Sequence, residues 1–199
     1  MISLIRESEK NMERVVSSEI ILCHSCMEEH EVQLIETEMT NVFKGTKIEY
    51  PVKYYYCDRT EEAYCNEEMT IANDISMKDA YRKSKGLLSS DEIIAIRRKY
   101  GITQKDLCLL LGWGEKTITR YESHQVQDFA HDSILRKIDN DPAWFLSLLN
   151  TAIQNQSFAN PEKYITTAEV NFAENYPQYF IQALISWQLL TRLPLSSNK

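Results

Sequence analysis

The chain has 199 residues, of which 43% are hydrophobic and 26% charged, a composition that is typical of a folded protein and excludes a disordered or fibrous one. This length accommodates one compact domain or two to three small ones. The formal net charge of −7 excludes a strongly basic chain, although a local basic face can still bind phosphates. The acidity lies mostly in residues 1–88, which contain 11 Lys and Arg against 17 Asp and Glu, whereas residues 89–150 contain 8 against 9.

The N-terminal segment has no feature of an export signal, because it is polar and charged after its first five residues. The most apolar segment, residues 176–193, is interrupted by glutamine, serine and threonine and is too polar for a membrane span. We therefore expect a cytoplasmic protein with no membrane partner. In a reducing compartment, clustered cysteines bind metal more often than they form disulfides.

In chain order, the first predicted elements are a polar leader over residues 1–19 and a small β-rich module over residues 20–70. Residues 32–39 of this module are rich in β-forming side chains. Residues 71–88 predict a helical linker that ends at Gly86.

Residues 89–150 predict an all-α domain of five short helices. Three helix starts are marked by capping signatures, namely Ser89 with Glu92, Thr103 with Asp106, and Asp141 with Pro142. Residues 151–199 predict a helical C-terminal tail, whose role the sequence does not indicate. The predicted fold class is therefore α+β, with a β-rich module first and helices after it.

Two short helices joined by a glycine turn are predicted between Leu107 and Tyr121. Leucines of the first helix and Ile118 of the second can share a core that fixes one helix across the other. The remaining side chains suit a DNA groove, because Arg and Lys donate to guanine edges or phosphates and Thr bonds base edges or backbone. The candidate DNA-binding residues are Gln104, Lys105, Glu115, Lys116, Thr117, Thr119 and Arg120.

The string ITQKDLCLLLGWGEKTITRYESHQVQD resembles the Xre-type, lambda-repressor-like helix-turn-helix of the MqsA (YgiT) family of antitoxins and regulators. The motifs that carry the resemblance are Thr103-Gln104-Lys105, Leu111-Gly112 and Thr119-Arg120-Tyr121-Glu122. That family places a zinc-finger-like Cys-x-x-Cys module before the helix-turn-helix domain, and the chain order here is similar over roughly residues 20–150. The resemblance does not extend to residues 151–199.

The resemblance implies that Arg120 contacts bases, and that Lys116 lies at a second base-contacting position where the best-known family member has asparagine. This departure implies a different operator sequence. The resemblance further implies an antitoxin that binds a toxin protein, often a basic ribonuclease, through its acidic N-terminal module. As a transcriptional repressor of the shared operon, it would bind double-stranded operator DNA as a homodimer.

Cysteines bracket the β-rich module. Cys23-His24-Ser25-Cys26 is a Cys-x-x-Cys knuckle, which supplies half of a tetrahedral zinc site, and Cys57 begins a second half. The resembled family has a cysteine three residues further on, where this chain has Thr60. The glycines that follow the family's two knuckles are replaced by Met27 and Glu61.

Three interpretations of the cysteines stay open. Cys65 completes a structural zinc site with Cys23, Cys26 and Cys57; or a histidine, His24 or His30, completes it; or the metal has been lost and the cysteines are small buried apolar groups. The fifth cysteine, Cys108, lies on the apolar side of its predicted helix and is assigned to the core.

No catalytic constellation is recognisable among the four scattered histidines, and the five glycines form no phosphate-binding loop, so we expect no enzyme. A rival to the DNA-binding hypothesis is an interaction protein. In that case the helix-turn-helix is only a scaffold, and the N-terminal module or the C-terminal tail binds a partner protein. The near-neutral charge of residues 89–150 favours this rival.

Overall fold

The computed structural model describes residues 13–156, 159–175 and 177. It has the mixed α+β fold predicted from the sequence, with a four-stranded antiparallel sheet followed by helices. The N-terminal part of the predicted polar leader and most of the apolar end of the predicted tail lie outside the described residues.

Two compact units make up the described chain. The first contains the residues up to Ser90 together with Arg120–Gln127, and the second contains Asp91–Thr119 and the residues from Asp128 onward. The first unit thus corresponds to the predicted β-rich module and linker, with a short segment from the predicted helical domain added to them.

The sheet of the first unit has the strand order β1-β2-β3-β4, with every neighbouring pair antiparallel. The strands are β1 (Arg14–Leu22), β2 (Glu29–Phe43), β3 (Thr46–Cys57) and β4 (Glu62–Tyr64). The predicted leader extended to residue 19, but β1 already begins at Arg14. The β-branched residues in this segment pair with β2, and this long-range pairing determines its structure more than its polar neighbours do.

The hairpin between β2 and β3 closes through a two-residue turn. Phe43 pairs with Thr46, and the intervening Lys44 and Gly45 have φ angles of 47° and 75°. Left-handed backbone at both turn positions matches the twist of the flanking strands, and glycine adopts it without strain. The hairpin therefore places a lysine at its tip.

A single long helix, α1 (Glu67–Ser84), covers the predicted linker and packs on β3. The side chain of its N-cap residue, Asn66, accepts a hydrogen bond from the backbone N–H of Met69. Midway along the helix, the Asn73 amide forms two hydrogen bonds with the backbone of Lys53, at 2.9 Å to its N–H and 2.7 Å to its carbonyl oxygen. These bonds fix the helix on the strand.

The buried face of the sheet changes along β3. Ile48, Tyr50 and Val52 are buried at alternate positions in a cluster with residues of α1, whereas Tyr55 and Cys57 are buried at the other parity. The second pair forms a separate cluster, to which Cys23 and Val32 also belong. Successive side chains of a strand point to opposite faces. Cys57 therefore lies on the face opposite Ile48, Tyr50 and Val52, in the same cluster as Cys23.

Short helices follow α1 along the chain and build most of the second unit, to which Ser90, Arg120 and Tyr121 do not belong. They are α2 (Ser90–Lys99), α3 (Gln104–Leu110), α4 (Thr117–Tyr121), α5 (Phe129–Asn140), α6 (Pro142–Gln154), a 3-10 turn (Pro161–Tyr164) and α7 (Ile165–Asn175). Two predicted caps are confirmed, because the side chains of Thr103 and Asp141 accept hydrogen bonds from the backbone at the starts of α3 and α6. Among the described residues, no helix has the length and apolar character that crossing a membrane would require.

Aromatic and aliphatic side chains form the core of the second unit. The rings of Tyr100 and Phe145 lie 3.9 Å apart between centroids, and the Tyr100 hydroxyl donates to the carbonyl oxygen of Ile138 at 2.9 Å. Leu107 and Leu149 are fully buried with them. This packing holds the short helices in place, because helices of this length are marginal in isolation.

Candidate functional site

Four metal-ligating side chains converge at one end of the sheet. The ligand atoms of Cys23, Cys26, His30 and Cys57 all lie within 4.8 Å of one another. The first two belong to the turn that follows β1, His30 is the second residue of β2, and Cys57 ends β3. The group could therefore hold a metal ion, and three thiols with an imidazole are a donor set compatible with zinc.

The first knuckle is a tight turn closed by backbone hydrogen bonds. Met27 N–H donates to the carbonyl oxygen of Cys23 at 2.8 Å, and Cys23 N–H donates to that of Glu28 at 3.0 Å. Met27 has a φ of 59°, so this position keeps the left-handed conformation for which glycine is the usual residue. The turn therefore has the backbone geometry that a glycine at this position would adopt.

The second knuckle repeats this arrangement without its second cysteine. Glu61, four residues after Cys57, has a φ of 55°, just as Met27 has four residues after Cys23. The backbone N–H groups of Arg59 and Thr60 and the Thr60 hydroxyl all interact with the Cys57 sulfur. Thr60, three residues after Cys57 as Cys26 is after Cys23, thus supplies a hydrogen bond to the Cys57 sulfur and no thiolate ligand.

The thiols differ in acidity. Burial raises the pKa of Cys23, but hydrogen bonds from the backbone N–H groups of Cys26 and Ser25 outweigh it and lower the pKa to about 7. The pKa of Cys57 is also lowered, because hydrogen bonds from Thr60 and Arg59 outweigh its burial. Burial and the neighbouring sulfurs raise the pKa of Cys26. Two stabilised thiolates at close range favour binding of a cation between them.

His30 supplies the fourth donor and has an acidic partner behind it. Its Nε2 lies 3.6 Å from Sγ of Cys57, and its Nδ1 lies 3.6 Å from a carboxylate oxygen of Asp58. The imidazole is 7% exposed. A carboxylate behind a metal-binding histidine orients the ring and makes it a stronger ligand.

The fourth member of the group is His30 and not Cys65, the residue that the sequence analysis placed first. Cys65 is exposed, and its sulfur lies 3.5 Å from the carbonyl oxygen of Lys53 and 3.7 Å from the amide nitrogen of Asn73. His24, the other candidate, stacks on the Tyr64 ring. Pairing of Ile21 with His30 in the β1–β2 register brings His30 back to the knuckle, and the sequence alone does not fix that register.

The candidate DNA-binding residues lie on α3, on α4 and in the turn between them. Gln104 and Lys105 open α3, and each has a partner in the second unit. Thr119 Oγ1 donates to Gln104 Oε1 at 2.9 Å, and Lys105 Nζ lies 2.8 Å from a carboxylate oxygen of Glu115. These contacts join the first turn of α3 to the turn before α4 and to α4 itself.

On α4 and at the residue before it, the candidates differ in exposure. Thr117 is buried, at 8% exposure, and its N–H donates to the carbonyl oxygen of Gly114 at 2.8 Å. Lys116, Thr119 and Arg120 are exposed. The exposed candidate side chains of this segment are therefore two cations and one hydroxyl.

Cys108 attaches α4 to α3. Its sulfur accepts a hydrogen bond from the backbone N–H of Ile118 at 3.3 Å, and Cys108, Ile118 and Leu107 are all fully buried. The assignment of Cys108 to the core is thus confirmed. Because the thiol satisfies an N–H at the start of a short helix, it fixes where α4 begins.

Comparisons of the chain with protein-family models and with curated proteins find no match.

Proposed function

We propose that the protein is a sequence-specific DNA-binding regulator whose N-terminal module is stabilised by zinc. The observation that carries this proposal is the α3–α4 pair, a short helix held on its neighbour by the Cys108–Ile118 and Gln104–Thr119 hydrogen bonds. The pair leaves Lys116, in the turn before α4, and Arg120, on α4, exposed. A second helix that presents such side chains is the part of a helix-turn-helix that enters the major groove.

Arg120 is the residue that we assign to base contacts. An arginine can donate two hydrogen bonds to a guanine edge, and each such pair contributes about 1–3 kcal/mol of discrimination. Lys116 serves a second base or a phosphate. Thr119, Gln104 and Lys105 orient the helix pair or contact the sugar-phosphate backbone. We do not assign Thr117 to direct contact, because it is buried.

The metal site has a structural role in this proposal. Cys23, Cys26, His30 and Cys57 supply four donors, which is the full number for tetrahedral zinc, so no position is left for a substrate. Cys23 and Cys57 belong to a small buried cluster at one end of the sheet, and a bound ion there would join β1, β2 and β3. Zinc binding contributes directly to folding in such small modules.

The resemblance to MqsA-type proteins extends the proposal to an antitoxin that represses its own operon. Its support is the acidic character of residues 1–88, which is complementary to a basic toxin. On operator DNA, a homodimer would place two α4 helices in major grooves about one helical turn apart.

A second candidate function is that of a protein-interaction module in which the helix pair is a scaffold. The observation that favours it is β1, an edge strand on which Ile20 and Leu22 are 75% and 55% exposed, next to Met27 at 69%. An exposed apolar edge strand is a place where another chain can add a strand.

An anisotropy titration with the DNA upstream of the protein's own gene tests the proposal. Arg120→Ala is expected to weaken binding to this DNA by about 5- to 150-fold, the range that 1–3 kcal/mol represents, with little effect on a scrambled duplex. Arg98→Ala removes the same charge from an exposed position of α2 and serves as the control. Equal affinity of wild type and Arg120→Ala for the upstream DNA contradicts the assignment and leaves the interaction module as the better account.

A further inference from the structure

Four exposed lysines gather at the end of the first unit formed by the β2–β3 hairpin and the C-terminus of α1. Lys44 and Lys47 belong to the hairpin, and Lys83 and Lys85 lie at the end of the helix. We call these four residues the lysine patch. Residues 1–88 carry an excess of acidic side chains. The lysine patch is therefore a local concentration of positive charge in an acidic part of the chain.

Tyr81 and a shallow open groove bring the four side chains together. The ammonium groups of Lys44 and Lys85 lie 5.9 Å and 5.6 Å from the centre of the Tyr81 ring. Lys47 and Lys83 line the groove between β3 and α1. The other residues lining this groove are Ile48, Glu49, Ala80 and Ser84, of which only Glu49 is anionic.

Packed aromatic rings form the base of the lysine patch, next to a buried arginine. Phe43 and Tyr81 pack edge to face with ring centroids 5.1 Å apart, and Lys44 lies 5.7 Å from the Phe43 ring. The neighbouring Arg82 is fully buried, and its guanidinium donates to the carbonyl oxygens of Tyr121 and Gln125 at 2.7 Å and 2.8 Å. These two carbonyls belong to the last residue of α4 and the segment that follows it.

We infer that the lysine patch binds the phosphate backbone of double-stranded DNA, as a contact separate from the base contacts of α4. This inference rests on the proposed function. Lysine ammonium groups act as point charges that neutralise phosphates without sequence preference. The positive charge of the patch fits a polyanion, and DNA is the polyanion of the proposed function. The Arg82 hydrogen bonds fix the end of α1, which carries Lys83, to the segment that follows α4. A phosphate contact held in this way sets the register of the protein on the duplex.

The test compares two double variants by anisotropy, on a random-sequence duplex and on the DNA upstream of the gene, over a series of salt concentrations. Lys47→Gln with Lys83→Gln removes the two groove-lining charges. Arg14→Gln with Lys53→Gln removes two exposed charges elsewhere on the same sheet. Lys47→Arg with Lys83→Arg keeps the charge. Thermal unfolding of each variant is followed by circular dichroism to verify that it is folded.

The patch variant is expected to bind both duplexes at least about ten-fold more weakly at low salt, with the slope of log K against log salt reduced by about 2, since each phosphate contact contributes about 0.9. The control pair and the arginine pair are expected to match wild type. An equal loss in the control pair, or no loss in a folded patch variant, overturns the inference.

The two proposals fail in different ways. Loss of random-duplex binding in the patch variant, together with no preference of wild type for the upstream DNA, supports the lysine patch and contradicts sequence-specific regulation. Unchanged binding by the patch variant with a sequence preference that depends on Arg120 contradicts the patch alone. No binding of wild type to either duplex contradicts both proposals. An acidic protein partner would then be the better account of the lysine patch.

Discussion

Nε2 of His30 lies 3.6 Å from Sγ of Cys57, although 26 residues separate the two in the chain. The antiparallel pairing of β2 with β3 brings the start of β2 next to the end of β3. His30 is the fourth donor of the group, since Thr60, three residues after Cys57, cannot act as a thiolate. The site therefore keeps four donors with a different composition from that of two complete knuckles.

The first prediction concerns metal content. The purified protein is expected to contain one zinc ion per chain, and Cys57→Ser is expected to contain almost none, because serine is a poor zinc ligand and only three donors remain. Elemental analysis measures the content, and release by a chelator with a colorimetric zinc indicator gives an independent value. Cys65→Ser is the matched control. A loss of zinc in this control with retention in His30→Ala would show that Cys65, and not His30, is the fourth ligand.

The second prediction restores the missing cysteine. His30→Ala is expected to lower zinc content and the midpoint of thermal unfolding. Adding Thr60→Cys to it is expected to recover both, because Glu61 already has the left-handed conformation of a complete knuckle and the Thr60 hydroxyl already faces the Cys57 sulfur. Thr60→Ser in the same background introduces no thiol and should recover neither. Failure of the cysteine variant to bind zinc would mean that position 60 does not face the metal.

The sequence was sufficient to identify three of the four members of this site. Cys23 and Cys26 form a local spacing motif, and Cys57 begins a second half of the same type. The choice among Cys65, His24 and His30 stayed open because it depends on the register of β1 with β2, which pairs Ile21 with His30. Long-range register is not encoded in local spacing, and neither is the change of buried face along β3.

The third prediction concerns Arg82, the largest fully buried charged side chain of the described residues. Its guanidinium donates to Asp79, Gln127 and two backbone carbonyls. Arg82→Met leaves buried acceptors without this donor and Asp79 without its counter-ion. Loss of one partner of a buried ion pair costs about 3–5 kcal/mol, so urea unfolding should show a reduction of this size.

Arg14→Met is the control for this prediction. Arg14 is 74% exposed in its ion pair with Glu36, and an exposed pair contributes at most about 1 kcal/mol. Arg82→Met is also expected to weaken binding to the upstream DNA, although Arg82 itself is buried and does not contact it. A variant with unchanged stability would refute the role of Arg82 as the anchor of the segment after α4.

The fourth prediction is a pH dependence centred on Asp106. Burial opposes its ionisation, but hydrogen bonds from Tyr164 and Lys163 outweigh burial and lower its pKa. A carboxylate with a lowered pKa in the folded state stabilises that state above its unfolded pKa, and the stabilisation disappears as pH falls through the folded pKa. Asp106→Asn should therefore be less stable than wild type at neutral pH, with the difference closing in acid.

Urea unfolding of both proteins from neutral to acidic pH measures this difference. Because acid also releases metal from thiolates, the relevant quantity is the wild-type value minus the variant value at each pH. Asp91→Asn, at an exposed position in the first turn of α2, controls for the loss of one charge. A difference between wild type and Asp106→Asn that stays constant down to acid would exclude ionisation of Asp106 as its source.

The helical part of the fold was more predictable than the sheet. Thr103 and Asp141 cap their helices as their local sequence predicts, because capping depends on residues within one turn. The start of β1 at Arg14 was missed because its strand character arises from pairing with β2. The burial of Thr117 was missed for a similar reason, since it depends on how the turn at Gly114 packs.

The central claim is that the protein binds DNA in a sequence-specific manner. The most direct measurement is a titration of the wild-type, zinc-loaded protein against the DNA upstream of its own gene, with a scrambled duplex as competitor and over a salt series. The account predicts binding that survives excess competitor and weakens steeply with salt, with protected half-sites about one helical turn apart in a footprint. Binding that the scrambled duplex removes as readily as the upstream duplex would contradict it.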